Sequence, residues 1–219
     1  MLIQKFSRKL QRNIADYGKI SALKKASFYP IKPVFDKSNF RIYCIDLDSW
    51  KVPEDLENQL SKFTFKLITP SDEDIIHQIE WTEEWLMGKL KDALDERRFC
   101  LVALDNNELA GFNLISFKKI YIPLLQKERI LNDDEAWSDQ ITVKEEYRRQ
   151  GLACNLRYRI FSELKNRKIK KLWGGTLIHN HASLALARRA GFCFVEDVHF
   201  TKLFWFKKWR HIEIKDESV

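Results

Sequence analysis

Cysteine is scarce and badly spaced for chemistry in this chain. Four residues, Cys44, Cys100, Cys154 and Cys193, are scattered through 219 without a C-x-x-C pair. The usual zinc and dithiol spacings are therefore missing, and no metal is expected. Cys100 and Cys193 sit in the apolar runs Phe99–Val102 and Phe192–Val195, where cysteine acts as a small buried hydrophobe. A reduced, cytoplasmic chain is the simplest expectation. Only 7 glycines and 5 prolines occur, which argues against a loop-rich or low-complexity chain. Long apolar runs are absent too: Leu101–Leu104 with its flanks is far too short to span a bilayer. Met1–Ala22 carries Lys5, Arg8, Lys9, Arg12 and Lys19 with no unbroken apolar stretch, so no secretory leader is expected.

What is present suits a folded domain. Hydrophobic residues make up 45% and charged residues 32%, with 7 Trp and 15 Phe. A chain of this length can bury a core without disulfides or metals. The formal charge is +7 and the isoelectric point about 9.1. That balance suits nucleic acid, an anionic membrane surface or an anionic cofactor such as CoA, and selects none of them. No internal repeat has solenoid or propeller spacing. A boundary near residues 60–68 divides an N-terminal extension, 1–60, from the main domain, 61–219.

In the extension, Leu2, Ile3, Phe6, Leu10 and Ile14 fall at helical spacing with Lys and Arg between them. This predicts a basic amphipathic helix over 2–26. Its apolar face either packs on the main domain or makes a peripheral membrane or partner contact. Phe40–Leu47 reads as a strand. In the main domain Phe63–Ile68 is a strand, and Ser71 with Asp74 forms a capping-box pattern. It opens a helix whose stripe runs Ile75, Ile79, Leu86, Leu90, Leu94. Phe99–Leu104 and a long Leu109–Ile120 form a hairpin around Asp105–Glu108. Ala136–Val143 is the next strand, then a helix from Gly151 to about Asn166. Leu172–Ile178 is a strand, His181–Ala190 a short helix, and Phe192–Trp209 a final pair of strands. The order predicts an α+β fold with a mixed, mostly antiparallel central sheet flanked by helices.

The chemically informative stretch is Ile141–Ala153, a strand end, a basic turn, one glycine and a helix start. The first turn of a helix leaves backbone N–H groups without intrahelical partners and carries partial positive charge. That is a ready site for an anion such as a pyrophosphate. Gly151 permits close approach of the backbone, Ala153 keeps the next position small, and Arg148 and Arg149 add charge. Some thirty residues on comes Asn180-His-Ala-Ser183, then Ala187, and then Gly191-Phe192.

Arg148-Arg149-Gln150-Gly151-Leu152-Ala153 resembles the Gln/Arg-x-x-Gly-x-Gly/Ala signature of the GNAT N-acetyltransferase superfamily. Asn180, the short helix and Gly191-Phe192 resemble its second signature, and the element order from about Phe63 to Trp209 agrees. The first sixty residues lie outside the resemblance. It implies acetyl-CoA, or another acyl-CoA, bound between two splayed central strands. Its pyrophosphate would meet the amides of Arg149, Gln150, Gly151, Leu152, Ala153 and Cys154. Its pantetheine would pair with the backbone of Ile141, Thr142 and Val143, the Val143 amide polarising the thioester carbonyl. Asn180 would hold the pantetheine arm or a water, and Ser183 belongs to the same group of cofactor contacts.

Acyl transfer to an amine also needs a proton acceptor. On a regular strand Asp139, Ile141 and Val143 share one face, and polyamine-type members of the family have a glutamate base at the position of Asp139. Asp139 is therefore the first candidate, with Glu135, His179 and Glu108 behind it. The family's usual general-acid tyrosine falls at Ala187 here, a departure, and Tyr147 lies in the loop and is not assigned. Trp81, Trp85 and Trp137 are read as core aromatics, with an acceptor pocket as the other use. A small-molecule amine is the favoured acceptor, while a protein or peptide amine is left open. Phe204–Arg210 interleaves aromatics with Lys and Arg, as a nucleic-acid surface would; an ordinary hairpin alternating core and surface is preferred for it. A non-catalytic CoA-binding protein is the remaining alternative.

Overall fold

The computed structural model describes residues 34–51, 61–83, 90–94 and 98–214. The helix expected over 2–26, and Trp85, Leu86 and Met87, lie outside the described residues. The elements are β1 (Phe35–Asp46), β2 (Thr64–Ile68), α1 (Glu73–Thr82), α2 (Leu90–Ala93), β3 (Arg98–Asp105), β4 (Glu108–Phe117), β5 (Lys119–Ile122), β6 (Lys127–Ile130), β7 (Glu135–Val143), α3 (Leu152–Asn166), β8 (Lys171–Leu177), α4 (His181–Arg189), β9 (Cys193–Leu203) and β10 (Phe206–Glu213). The mixed, mostly antiparallel sheet flanked by helices is the α+β fold expected. Among the described residues no helix is long and apolar enough to cross a membrane. Two compact units divide the chain: a larger one of Tyr43–Gly174 and Leu186–Cys193, and a smaller one completed by Gly175–Ala185 and Phe194 onward with β1 up to Ile42.

In the larger unit the strand order is β8-β7-β4-β3-β2, antiparallel except for the parallel pair β7/β8. β3 and β4 join through Asn106 and Asn107, both at positive φ (49° and 69°). Asn tolerates that conformation, and such a turn suits the twist of a two-residue hairpin. Ile76 and Ile79 of α1 and Leu90 of α2 bury against Cys100 and Val102 of β3 and Phe112 and Leu114 of β4. Alternation along β4 turns Gly111 to the other face, where an added Cβ would lie 3.3 Å from Leu156 of α3. The α3 stripe on that side is Leu152, Leu156, Ile160, Phe161 and Leu164, all buried.

Several expectations change. The capping box does not form: Asp72, not Ser71, caps α1, and its carboxylate instead accepts the Thr69 N–H at 2.8 Å and pairs with Lys66. The long strand 109–120 breaks at Lys118, whose φ of 65° turns the chain into the two-stranded β5/β6 arm. Cys193 is exposed rather than buried, because it falls on the outward side of β9. Trp81, 68% exposed, is no core residue, whereas Trp137 is buried.

In the smaller unit the order is β10-β9-β1-β8. Strand β1 is thus a sheet member, in antiparallel register with β9: the Phe204 N–H donates to the Val34 carbonyl, Asn39 bonds His199, and Arg41 forms a two-bond pair with Asp197 at 2.7 Å. The Arg41 guanidinium also lies 5.0 Å from the Phe194 ring centre. Val198 and Phe200 are buried on β9, but almost all of β10 is exposed on both faces. The alternating core-and-surface pattern expected for Phe204–Arg210 is therefore absent, since β10 is the sheet edge and no layer of the described residues covers it.

Candidate functional site

Between β7 and α3 the chain makes a single 3-10 turn, Glu145–Tyr147, and then two left-handed residues, Arg149 (φ 62°) and Gly151 (φ 82°). Gly151 is the N-cap of α3, and no side chain caps the helix. The first helical bond is Asn155 N–H to Gly151 C=O, 3.1 Å. The amides of Leu152, Ala153 and Cys154 consequently have no acceptor within the helix, and no acidic residue stands in its first turn. A Cβ on Gly151 would meet nothing within 4 Å. The glycine is demanded by its backbone conformation, and the space above the helix end is open. A cavity of about 150 Å³ occupies it, lined by Val143, Arg148, Arg149, Gly151, Leu152, Ala153, Cys154 and Arg189 among others.

Most of the expected cofactor residues of the loop are brought to that one cavity. Gln150 turns its side chain away, donating to the Glu146 carbonyl at 3.0 Å and accepting from Lys62 at 2.8 Å. Arg148 Nε donates to the Val143 carbonyl at 3.2 Å and ties the loop to the strand end. Arg189, from the last turn of α4, was missed because its approach depends on the fold; its only sequence signal was the basic Arg188-Arg189 pair. Three guanidinium groups and an uncapped helix N-terminus around one cavity favour a multiply charged anion.

The backbone of β7 supplies the second feature. Lys144 N–H donates to the Ala110 carbonyl at 2.9 Å, in register with Gly111↔Val143 and Phe112↔Thr142. Antiparallel pairs alternate between bonded and non-bonded, so Thr142 directs its N–H and C=O toward β4. Ile141 and Val143 direct theirs away from β4. Pairing of β7 with β8 covers Glu135–Ser138 against Lys171–Gly174. Beyond it, the N–H and C=O of Ile141 and the N–H of Val143 face away from β4 outside the β7–β8 ladder, while the Val143 C=O is taken by Arg148.

Asp139 does not share a face with Ile141 and Val143. The β4/β7 register jumps from Leu114↔Gln140 to Ile115↔Ser138, leaving Asp139 as the extra residue of a β-bulge. The bulge turns its carboxylate to the α1 side of the sheet, where it accepts a bond from the Ser116 hydroxyl and lies 3.9 Å from Arg98. Burial pushes its pKa up to about 6, outweighing the Ser116 bond and the Arg98 charge, which pull it down. A second carboxylate on that side escaped the sequence reading. Glu83, just past α1 and 3% exposed, accepts bonds from Thr142 Oγ1 at 2.9 Å and Gln140 Nε2 at 3.3 Å.

Other candidates are committed elsewhere. Glu135 accepts from Trp173 Nε1 and from the Asn132 amide, both 3.0 Å. Glu108 is exposed at the foot of the β3/β4 hairpin. His179, exposed, belongs to the smaller unit. So do Asn180 and Ser183, where Asn180 Oδ1 accepts the Ser183 amide at 3.2 Å at the start of α4. Ala187 is fully buried. The Cys154 thiol is held above its ordinary pKa, chiefly by burial, with Arg189 and Arg157 opposing. Among the described residues no cluster of three His, Cys, Asp or Glu could hold a metal ion. A larger cavity of about 250 Å³, lined by Phe117, Asn132, Asp133, Glu135 and Arg167 among others, lies at the other end of β7, and acids contribute to its wall.

The sequence matches the acetyltransferase (GNAT) family over residues 58–192. No curated protein matches it. Among solved structures it is similar to a GCN5-related glucosamine N-acetyltransferase region of a fungal multi-domain GH3 β-N-acetylglucosaminidase, at 16% identity and TM-score 0.56, over 87% of this chain and 23% of that one. A Drosophila protein is similar at 18% identity and TM-score 0.53, over 87% and 59%. The ribosomal-protein-S18-alanine N-acetyltransferase of Escherichia coli is similar at 23% identity and TM-score 0.48, over 60% and 77%.

Proposed function

The chain belongs to the acetyltransferase (GNAT) family, and we propose that it transfers an acetyl or other acyl group from acyl-CoA to a primary amine by direct attack within a ternary complex. The observation that carries this reading is the helix end at Gly151, with its left-handed cap, its uncapped first-turn amides and the arginines around the cavity. These are the groups that would hold the CoA diphosphate, with the amides of Arg149 to Cys154 as donors and Arg148, Arg149 and Arg189 as countercharges. When bound, acyl-CoA supplies an activated thioester.

The chain's own residues do the rest. Ile141 and Val143 offer the backbone groups directed away from β4 to the pantetheine arm, and the Val143 N–H donates to the thioester oxygen as charge develops on it. Asn180 and Ser183 are the further cofactor contacts of this reading. Asp139 is the proposed base: with a pKa near 6 it is ionised at neutral pH and takes a proton from the acceptor's ammonium, directly or through water, so that the neutral amine attacks. Glu83 positions Thr142, and so the strand segment that carries the Val143 amide. The raised Cys154 pKa leaves that thiol protonated, which supports direct attack over a cysteine-bound route. A small-molecule amine is the favoured acceptor and a protein or peptide amine the alternative.

One observation favours a second reading, a CoA-binding protein without turnover: buried Ala187 stands where the family's tyrosine acid is usual. Calorimetric titration with acetyl-CoA, followed by an amine screen, tests both. Binding with turnover supports the enzyme, binding without turnover on any amine supports the second reading, and no binding by folded protein overturns both.

A further inference from the structure

The β9/β10 hairpin ends in four consecutive exposed apolar side chains: Leu203 (52%), Phe204 (55%), Trp205 (79%) and Phe206 (69%). The register Phe206↔Leu203 makes Phe204 and Trp205 the two-residue turn. Phe204 takes a φ of 52° there. Turns of this length favour Gly or Asn at positive φ, so Phe204 is held there at a cost in backbone strain. The Phe204 N–H donates to the Val34 carbonyl, which joins the exposed side chains of Val34 and Phe35 to the same patch.

Charge surrounds this tip in an uneven way. Lys202 and Lys207 face each other across the hairpin directly behind it, an arrangement that destabilises an isolated ladder in water. Lys208, Arg210 and Lys37 are exposed nearby. The acids lie mostly at the far end, where Asp197 is paired with Arg41 and Glu196 with His211. Asp36 of β1 also lies near the tip, and it has a partner of its own.

We propose that this hairpin tip docks the protein on an anionic lipid bilayer, with Phe204, Trp205 and Phe206 entering the interface and Lys202, Lys207 and Lys208 meeting lipid phosphates. A protruding turn of this kind fits a deformable interface. Aromatic residues with a polar edge favour the headgroup boundary, and lysines at that depth gain from the negative surface potential. Four side chains at a convex tip are far fewer than the 20–30 residues per side typical of a stable protein–protein interface. Single-stranded nucleic acid would meet the lysines and stack on the rings, but it leaves the aliphatic Leu203 and Val34 of the same patch exposed.

The test is co-sedimentation of the full chain with phosphatidylcholine vesicles with and without phosphatidylserine. The pair F204N/W205G replaces Phe204 with a residue that tolerates its positive φ and removes both rings, and its folding is checked by its thermal midpoint. Wild type is expected to sediment with the phosphatidylserine vesicles only. F204N/W205G is expected to lose roughly tenfold or more of that partition, and K207Q/K208Q to lose the dependence on phosphatidylserine. Binding that F204N/W205G leaves unchanged overturns the proposal and sends the contact elsewhere on the chain. No vesicle binding, with tip-dependent binding of an oligonucleotide or tip-dependent dimerisation, overturns it in favour of that partner.

Discussion

Glu83 and Thr142 meet at 2.9 Å although 59 residues separate them, and the same carboxylate oxygen accepts a bond from Gln140. The contact fixes the end of α1 to the part of β7 whose neighbours Ile141 and Val143 direct their backbone groups away from β4. A buried carboxylate with two donors is costly to strip of one partner.

If Glu83 works by positioning, its carbonyl-like oxygen matters and its charge does not. Glu83→Gln keeps an acceptor for both bonds and is expected to retain most of kcat/KM. Glu83→Ala should lower it about tenfold and leave the Thr142 hydroxyl proton without its acceptor, at about 1–3 kcal/mol of stability. Steady-state kinetics and urea denaturation on both variants check this. Loss of activity in Glu83→Gln equal to that in Glu83→Ala would make the charge itself the working feature.

Gly151 separates conformation from ligand space. A Cβ there meets no protein atom within 4 Å, yet φ is 82°. Gly151→Ala is expected to cost about 1 kcal/mol of stability through the backbone alone. Gly151→Asp should cost a similar amount and remove measurable acetyl-CoA binding, because it places a negative charge over the uncapped helix end. Calorimetry with acetyl-CoA on the two variants decides; wild-type affinity in Gly151→Asp would move the cofactor site elsewhere.

Asp139 carries a pH dependence with a definite sign. Its folded pKa of about 6 lies above its ordinary 3.8, so between those values the folded state binds more protons than the unfolded one. Its contribution therefore lowers stability as pH rises from about 4 to about 6, and the loss persists above. Asp139→Asn removes that loss and is expected to be more stable than wild type at pH 8, by on the order of 1–3 kcal/mol, and not at pH 4. If Asp139 is also the base, the variant keeps acetyl-CoA affinity while kcat/KM falls and its acid limb near pH 6 disappears. Full kcat/KM in Asp139→Asn across pH 6–9 excludes the base role.

Gly174 tests packing in the larger unit. An added Cβ would sit 2.5 Å from the Tyr43 ring. That ring cannot easily retreat, since Phe192 packs edge-on at 5.0 Å and the Arg157 guanidinium lies 5.8 Å away. Gly174→Ala is expected to cost about 1–3 kcal/mol, and a smaller residue in Tyr43→Leu should recover part of it in the double variant. Additive losses in denaturant melts would show that the two positions do not clash.

Features written in neighbouring residues could be read without a structure. The turn at Asn106-Asn107, the open glycine at 151 before an amphipathic stripe, and the arginines at 148 and 149 each act over a few positions, so local backbone preference and spacing suffice to place them. The two signatures around Gly151 and Asn180 carried the family, and the strand and helix order carried the fold class. Only the tertiary structure decided what depends on long-range pairing. The bulge at Asp139 arises from a register jump against β4, and it reverses the face that simple alternation assigns. Glu83 and Arg189 reach their places from elements 59 and 38 residues away from Thr142 and Gly151. Cys193, Trp81 and the Phe204–Phe206 turn are exposed because of which strand lies at the sheet edge and which helix side faces outward. Apolar patterning along the chain shows that a residue can be buried; the packing of other elements against it determines whether it is.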